Sequence, residues 1–255
     1  MSSAIWTLEE LSSSARPLAA KAWRAVEAQH QVSTAKLTDN LSEQQRLEQI
    51  IENSKPPVPV ECQHLSFLLS TPFRYGAPYP IGSRFRRAGL TLGVFYASEL
   101  AKTAMIELAF SRLLFFADSP RTPWPKNPGE YTAFAVEFGT ERATDLTVSP
   151  LDNRRSVWRH PTNYEPCQSL AEGARAEGIE VIKYESARTA TYAANYALLT
   201  CRAFTKAEEV GRQTWRIHFS ATGIRIFCEM PRAGLDLPPT SFESDPRVRT
   251  MNWDR

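Results

Sequence analysis

The succession of strand-like segments constrains the fold of this chain most strongly. Residues 131–138 alternate in polarity and contain aromatic and β-branched side chains, which is the pattern of a half-buried strand. Shorter segments of this kind cover residues 93–97 and 180–184, and residues 213–220 and 224–229 predict a hairpin. Because these segments mostly follow one another with only two or three helices between them, we expect an α+β fold rather than a doubly wound sheet.

Two helices are predicted among these strands. The first runs through Ala104 and Leu108 to about Phe115, and the second covers residues 191–200.

The first sixty residues differ in character and predict a helical extension. Pro17 suits the first turn of a helix, and an apolar stripe then recurs at helical spacing, formed by Ala19, Ala22, Trp23 and Val26. We therefore expect Trp23 to pack one helix against another rather than to line a ligand pocket. Ser42 and Gln45 fit a capping box that begins a second helix.

A proline-rich connector marks the predicted domain boundary. The run Pro56-Pro57-Val58-Pro59 ends the second helix and favours extended backbone. We accordingly divide the chain into a helical extension, residues 1–60, and a main domain, residues 61–255.

Composition excludes several classes of protein. The 255 residues carry 30 Lys and Arg against 28 Asp and Glu, a net charge of +2, which argues against a general binder of nucleic acids. An apolar run of about 18 residues and a leader-like start are both missing from the sequence, so we expect a cytoplasmic protein without membrane contact.

The sequence also predicts neither a metal site nor a common nucleotide-binding loop. The cysteines are scattered, and we expect all four to be small, reduced core residues, namely Cys62, Cys167, Cys201 and Cys228. The glycines form neither a dinucleotide-binding fingerprint nor a phosphate loop, and the motifs of serine hydrolases and zinc proteases are missing. A nucleotide substrate would need another scaffold.

Three stretches of the chain, taken in their order, follow the pattern of a known family. They cover residues 71–89, 93–108 and 181–198, and the most specific part is Tyr96-Ala-Ser-Glu-Leu-Ala-Lys-Thr-Ala-Met-Ile-Glu107. Together they resemble the RES family of NAD-degrading toxins, in which an arginine precedes a strand ending in tyrosine, a helix then supplies a glutamate, and a Ser-Ala-Arg stretch and an asparagine follow. The matching residues here are Arg84, Tyr96, Glu107, Ser186 and Asn195.

This sequence departs from the family pattern in two places. Arg84 is followed by Phe85-Arg86-Arg87 instead of the commoner Trp-Asn-Pro, which leaves open which of Arg84, Arg86 and Arg87 contacts a diphosphate. Residues 1–60 also extend beyond the compact toxins of the family.

The resemblance implies a fold and a reaction. It implies an ADP-ribosyltransferase-like split mixed sheet with flanking helices, and cleavage of the nicotinamide–ribose bond of NAD. NAD is then a substrate and no true cofactor is needed. Inorganic phosphate is favoured over water as the acceptor, although the residues themselves do not distinguish the two. The implied partner is an antitoxin with a helix-turn-helix domain, while a homo-oligomeric state stays open.

The chemistry of this reaction assigns roles to the matching residues. Cleavage develops positive charge on the ribose, which a carboxylate at Glu107 would stabilise. Arginine offers a forked donor to a diphosphate, so we assign Arg84 first and Arg74 second, with Tyr75 beside it. Tyr96 would stack on nicotinamide or hold its amide.

The Ser186 and Asn195 side chains complete the predicted site. We expect Ser186 to donate to a phosphate or to the nicotinamide carboxamide, and Asn195 to support the site.

Three alternatives remain at this point. The chain would instead be a protein ADP-ribosyltransferase, a non-catalytic interaction protein that retains the fold, or a nucleic-acid binder acting through its arginine-rich segment. The near-neutral charge disfavours the last of these.

Overall fold

The computed structural model describes residues 6–28, 34, 37–74 and 78–255. The α-helices of the described residues are α1 Leu8–Ser14, α2 Leu41–Ser54, α3 Phe67–Ser70, α4 Ala101–Asp118, α5 Arg155–Trp158, α6 Glu165–Ala176 and α7 Pro246–Arg249. The strands are β1 Arg16–Glu27, β2 Phe95–Ser98, β3 Gly129–Asp145, β4 Val181–Glu185, β5 Ala194–Leu198, β6 Gly211–Ser220, β7 Gly223–Cys228 and β8 Ala233–Leu237.

All eight strands join one mixed sheet, in the order β1-β2-β5-β4-β3-β6-β7-β8. The pairing of β3 with β4 is parallel and the others are antiparallel. The expected α+β class is therefore confirmed, as are the predicted β6–β7 hairpin and the helix α4.

Strand β3 divides the sheet. Its residues 129–135 pair with β6, whereas residues 143–145 pair with β4, so two groups of strands diverge from one long strand. On its other edge β3 pairs with β1 over eleven positions, from Tyr131–Glu27 to Ala143–Arg16. Because β1 also meets β2 at Trp23–Ser98, the strands β1, β2, β5, β4 and β3 close a ring.

The helical prediction for residues 16–27 is wrong, because this segment is β1. Leu18, Ala20 and Ala22 are at least partly buried, whereas Ala19 and Lys21 between them are exposed, which is the two-residue period of a strand. Alanine favours helices, but the gain from pairing with β3 along its whole length outweighs that preference. The boundary at residue 60 remains a prediction, although β1 shows that residues before it belong to the sheet.

Two further helical predictions have different outcomes. The helix before the proline run is confirmed as α2, but its cap is Asn40, whose side chain accepts from the Glu43 amide at 3.0 Å, rather than Ser42. The helix predicted for residues 191–200 is wrong: β5 lies there, with all five residues buried between β2 and β4. A strand buried on both faces loses the polar alternation by which strands are recognised.

Helix α4 packs on the sheet through an apolar stripe. Met105, Ala109 and Leu113 are fully buried and share a core cluster with Trp215 and Ile217 of β6. Their spacing of four residues puts them on one face of the helix, and Glu107 falls outside that stripe. The helix therefore holds Glu107 rigidly without burying it in the core.

The cysteine prediction is wrong for one pair. Cys62 and Cys201, 139 residues apart, form a disulfide between two short 3-10 turns, whereas Cys167 and Cys228 are free and buried. The two bonded cysteines lie in one hydrophobic cluster, a proximity that depends on the tertiary fold and leaves no mark in their spacing.

Candidate active site

A cavity of about 370 Å³ opens beside the carboxylate of Glu107. It is bounded by β1, the loop at residues 82–84, β2, α4 and β5. Strand β2 meets β1 at the Trp23–Ser98 pair; beyond Trp23, that edge of β1 has no strand partner among the described residues and borders this cavity.

Two side chains hold the Glu107 carboxylate. The Ser186 hydroxyl donates to its Oε1 at 2.7 Å and the Asn195 amide donates to the same atom at 2.8 Å. Ser98 in turn donates to the Asn195 carbonyl oxygen at 2.6 Å, which orients that amide. The donors from the described residues converge on Oε1, so Oε2 is left to meet a ligand.

Ser186 and Asn195 are therefore brought together with Glu107, as the sequence predicted. Both are almost completely buried, and Asn195 lines the cavity. The observed partner of the Ser186 hydroxyl is Glu107; its donation to a phosphate or a carboxamide remains a prediction.

Tyr96 ties β2 to the loop that carries Arg84. Its hydroxyl accepts from the Phe85 amide at 2.9 Å and shares a hydrogen bond with the Ser83 hydroxyl at 2.9 Å. Burial raises the pKa of Tyr96 to about 12, so the phenol stays neutral at physiological pH. Tyr96 lines the cavity, and its predicted contact with nicotinamide remains a prediction.

Arg84 presents a positive charge to the cavity. It is 9% exposed, donates to the backbone carbonyls of Trp158 and His160, and stacks on the ring of Tyr164 at 4.8 Å. Carbonyl partners orient the guanidinium but do not neutralise it, and no carboxylate of the described residues pairs with it.

The other predicted arginines do not line this cavity. Arg74 pairs with Glu52 of α2, Arg86 stacks on Tyr79, and Arg87 pairs with Glu172 of α6. Within the arginine-rich segment, Arg84 is thus the arginine that lines the cavity. Tyr75 lies outside the described residues.

Sequence reasoning missed two residues of β1, Trp23 and Arg24, which both line the cavity. Arg24 donates to the Tyr96 carbonyl at 2.9 Å, and burial lowers its pKa to about 10, which leaves it charged at neutral pH. The expectation that Trp23 serves helix packing is wrong, because its segment is a strand. The available signal was that the run also fits a strand, in which Ala22, Arg24 and Val26 share one face and Trp23 and Ala25 share the other.

Tyr184 and Arg188 were also missed. Burial raises the pKa of Tyr184 well above its ordinary value, and the nearby negative charge of Glu107 adds to that effect. Arg188 pairs at 3.3 Å with buried Asp245, a carboxylate that it shares with Arg247, and stacks on Phe110 at 3.6 Å. Both partners of Arg188 are distant in sequence, and no local pattern points to them.

Fold and cavity together define an α+β protein with a carboxylate-centred site flanked by free arginine charges. A sequence profile described as the RES domain matches residues 58–220, so the chain belongs to the RES domain family. The match includes Arg84, Tyr96, Glu107, Ser186 and Asn195, but it does not include β1.

Similarity to a solved structure extends over most of the chain. The solved structure is the crystal structure of the M. tuberculosis MbcT–MbcA toxin–antitoxin complex, with 12% sequence identity, a TM-score of 0.43, and coverage of 92% of this chain and 94% of that one. A comparison with curated proteins gave no match.

The described residues offer no group of three or more His, Cys, Asp or Glu side chains arranged to hold a metal ion. In that part of the chain, no helix combines the length and apolarity needed to cross a membrane.

Proposed function

We propose that this protein cleaves the nicotinamide–ribose bond of NAD, with Glu107 as the catalytic carboxylate. The observation that carries the proposal is the fixed position of Glu107, whose Oε1 accepts from Ser186 and Asn195 at the edge of an open cavity. Membership of the RES domain family supports the substrate, because the resemblance to that family implied NAD. An ADP-ribosyltransferase-like fold is part of this proposal, and the division of the sheet at β3 is compatible with it.

The reaction breaks the bond between ribose C1′ and the nicotinamide nitrogen. The bonding electrons pass to the pyridinium ring, which leaves as neutral nicotinamide, so no acid is required to expel it. The ribose gains oxocarbenium character, which the free Oε2 of Glu107 stabilises at close range. An oxygen of phosphate or water then bonds to C1′, and water would release a proton.

Arg84 and Arg24 supply the positive charge that a diphosphate requires. Arg84 is buried and Arg24 is partly buried, and neither forms a salt bridge with a described residue, so their charge remains available to a ligand. A guanidinium binds phosphate oxygens through parallel hydrogen bonds, which fixes the dinucleotide as well as attracting it.

The acceptor in this proposal is inorganic phosphate, as the family resemblance favours. Hydrolysis by water is the competing outcome, and attachment of ADP-ribose to a protein side chain is the third.

The biological role that we propose is that of a toxin neutralised by an antitoxin protein. The similar solved structure is described as a toxin–antitoxin complex, and an antitoxin with a helix-turn-helix domain would inhibit by covering the cavity. Unhindered NAD turnover in an assembled complex would contradict this mode of inhibition.

Release of nicotinamide from NAD by purified protein, with and without phosphate, tests the reaction. We expect Glu107→Gln to lower kcat on the order of 10²-fold or more, because a neutral amide cannot stabilise the ribose cation. The glutamine oxygen can still accept from Ser186 and Asn195, so the fold should be preserved. The matched control is Glu99→Gln, which neutralises an exposed glutamate just before α4.

Each alternative has its own result in this assay. Label from adenine-labelled NAD that remains on a macromolecule indicates a transferase. Equal NAD loss in wild type and Glu107→Gln rejects the catalytic role of Glu107, and no loss with folded, antitoxin-free wild type favours an interaction protein.

A further inference from the structure

Two chemically different groups of side chains line the cavity, and because they belong to different core clusters we call them its two ends. Arg84 at one end is held by Trp158 and lies beside Tyr164. The other end is apolar and consists of half-buried side chains from β1 and α4, namely Trp23, Ala25, Leu108 and Leu114. These side chains pack on the core under α4, whereas Trp158 belongs to the core cluster that includes α6.

Glu107 stands between the two ends. It lies on α4 next to Leu108, yet its carboxylate is bonded to Ser186 and Asn195 at the ends of β4 and β5. Trp23 is adjacent to this network, because it pairs in register with Ser98, which donates to Asn195.

The order of groups in NAD matches this order in the cavity. The ribose that is cleaved lies between the diphosphate and the nicotinamide. With the ribose at Glu107 and the diphosphate at Arg84, the nicotinamide must extend toward the apolar end. The aromatic rings at the opposite end are already engaged, since Tyr96 is bonded to Phe85 and Tyr184 packs on Phe85 at 4.8 Å.

We infer that Trp23 forms the nicotinamide subsite, with its indole face against the pyridinium ring and Leu108 beside it. This inference rests on the proposed function and adds a specificity residue that lies outside the RES domain match. Nicotinamide carries a positive charge while it is bonded in NAD, and indole is the aromatic side chain that attracts a cation most strongly.

The charge on the ring predicts which kinetic constant changes. Nicotinamide becomes neutral as the bond breaks, so the attraction to Trp23 is strongest in the ground state and contributes to binding. We expect Trp23→Leu to raise KM for NAD roughly 2- to 30-fold, with a smaller change in kcat. The KM of Trp23→Phe should lie between those of wild type and Trp23→Leu. This separates Trp23 from Glu107, whose variant lowers kcat.

Inhibition by two fragments of NAD tests the subsite directly. The cation 1-methylnicotinamide contains the ring alone, and ADP-ribose contains everything except the ring. We expect Trp23→Leu to weaken inhibition by 1-methylnicotinamide and to leave inhibition by ADP-ribose unchanged. The control is Trp253→Phe, a change at a tryptophan that packs on Trp124 and does not line the cavity.

The outcomes distinguish this inference from the proposed function. Suppose that wild type cleaves NAD, but that Trp23→Leu weakens inhibition by 1-methylnicotinamide and by ADP-ribose equally, or weakens neither. The inferred subsite is then wrong, and the proposed function stands. If wild type does not cleave NAD, the proposed function fails. Quenching of Trp23 fluorescence by 1-methylnicotinamide, absent in Trp23→Phe, would then still support a subsite for the ring, and equal quenching in both would overturn it.

Discussion

At the scale of single residues, the site consists of one carboxylate and the groups that fix it. Glu107, Ser186 and Asn195 were predicted together from the resemblance to the RES family, and they do meet in space. Arg74 and Arg87 were candidates of the same residue type, but each is neutralised by a glutamate that is distant in sequence, Glu52 and Glu172. Sequence identifies arginines that are able to bind an anion; the fold decides which of them remain unpaired.

Tyr96 gives a prediction for alkaline stability. An unfolded tyrosine ionises near its ordinary pKa of 10, whereas burial holds the folded pKa at about 12. The folded state therefore retains a proton that the unfolded state loses, and stability falls as pH rises from 10 to 12, by about 2 to 3 kcal/mol. Because phenylalanine does not ionise, we expect Tyr96→Phe to lose less unfolding free energy than wild type between pH 10 and pH 12.

The free energy of unfolding in urea, measured from pH 9 to 12, tests this expectation. Because Tyr131, Tyr184 and Tyr196 also have raised pKa values, both proteins lose stability, and the difference in slope is the readout. Parallel curves for wild type and Tyr96→Phe would refute the role of burial at this hydroxyl.

At the scale of elements, strands rich in aromatic and β-branched residues were predicted from the sequence, whereas two strands rich in alanine were taken for helices. β3, β6 and β7 carry aromatic and β-branched residues in alternation and were located correctly. β1 and β5 are rich in alanine, which is common in helices, and β5 is buried on both faces. Because β1 was taken for a helix, two of its residues that line the cavity, Trp23 and Arg24, were not predicted as site residues.

Removal of β1 tests how far the sheet depends on it. A chain beginning at residue 37 lacks α1 and β1 but retains α2, and the edge of β3 that β1 covers at eleven positions loses its partner strand. We expect this chain to aggregate or to unfold without cooperativity, because an exposed strand edge pairs with other molecules. A chain lacking only residues 1–5 is the control; size-exclusion chromatography and thermal unfolding give the comparison, and a folded, monomeric chain from residue 37 would restore the predicted boundary.

At the scale of the whole molecule, one covalent link joins distant segments. The disulfide between Cys62 and Cys201 closes a loop of 139 residues and restricts the unfolded chain. We expect the double variant Cys62→Ala and Cys201→Ala to lose about 2 to 5 kcal/mol of unfolding free energy. Chemical denaturation with and without reductant measures this, with Cys228→Ala as control. Equal stability of the oxidised wild type and the double variant would show that the link contributes nothing.

The wide separation of the residues that hold Glu107 also sets when the site can exist. Ser186 and Asn195 follow Glu107 by 79 and 88 residues, so a ribosome adds the last of them roughly 4 to 18 seconds after the glutamate. During that interval the carboxylate is present but nothing holds it, and the β5 strand that completes the ring has not been made. Under the proposed function, a growing chain therefore cannot cleave NAD until Asn195 has been added, and an antitoxin would need to recognise only chains that extend past that residue.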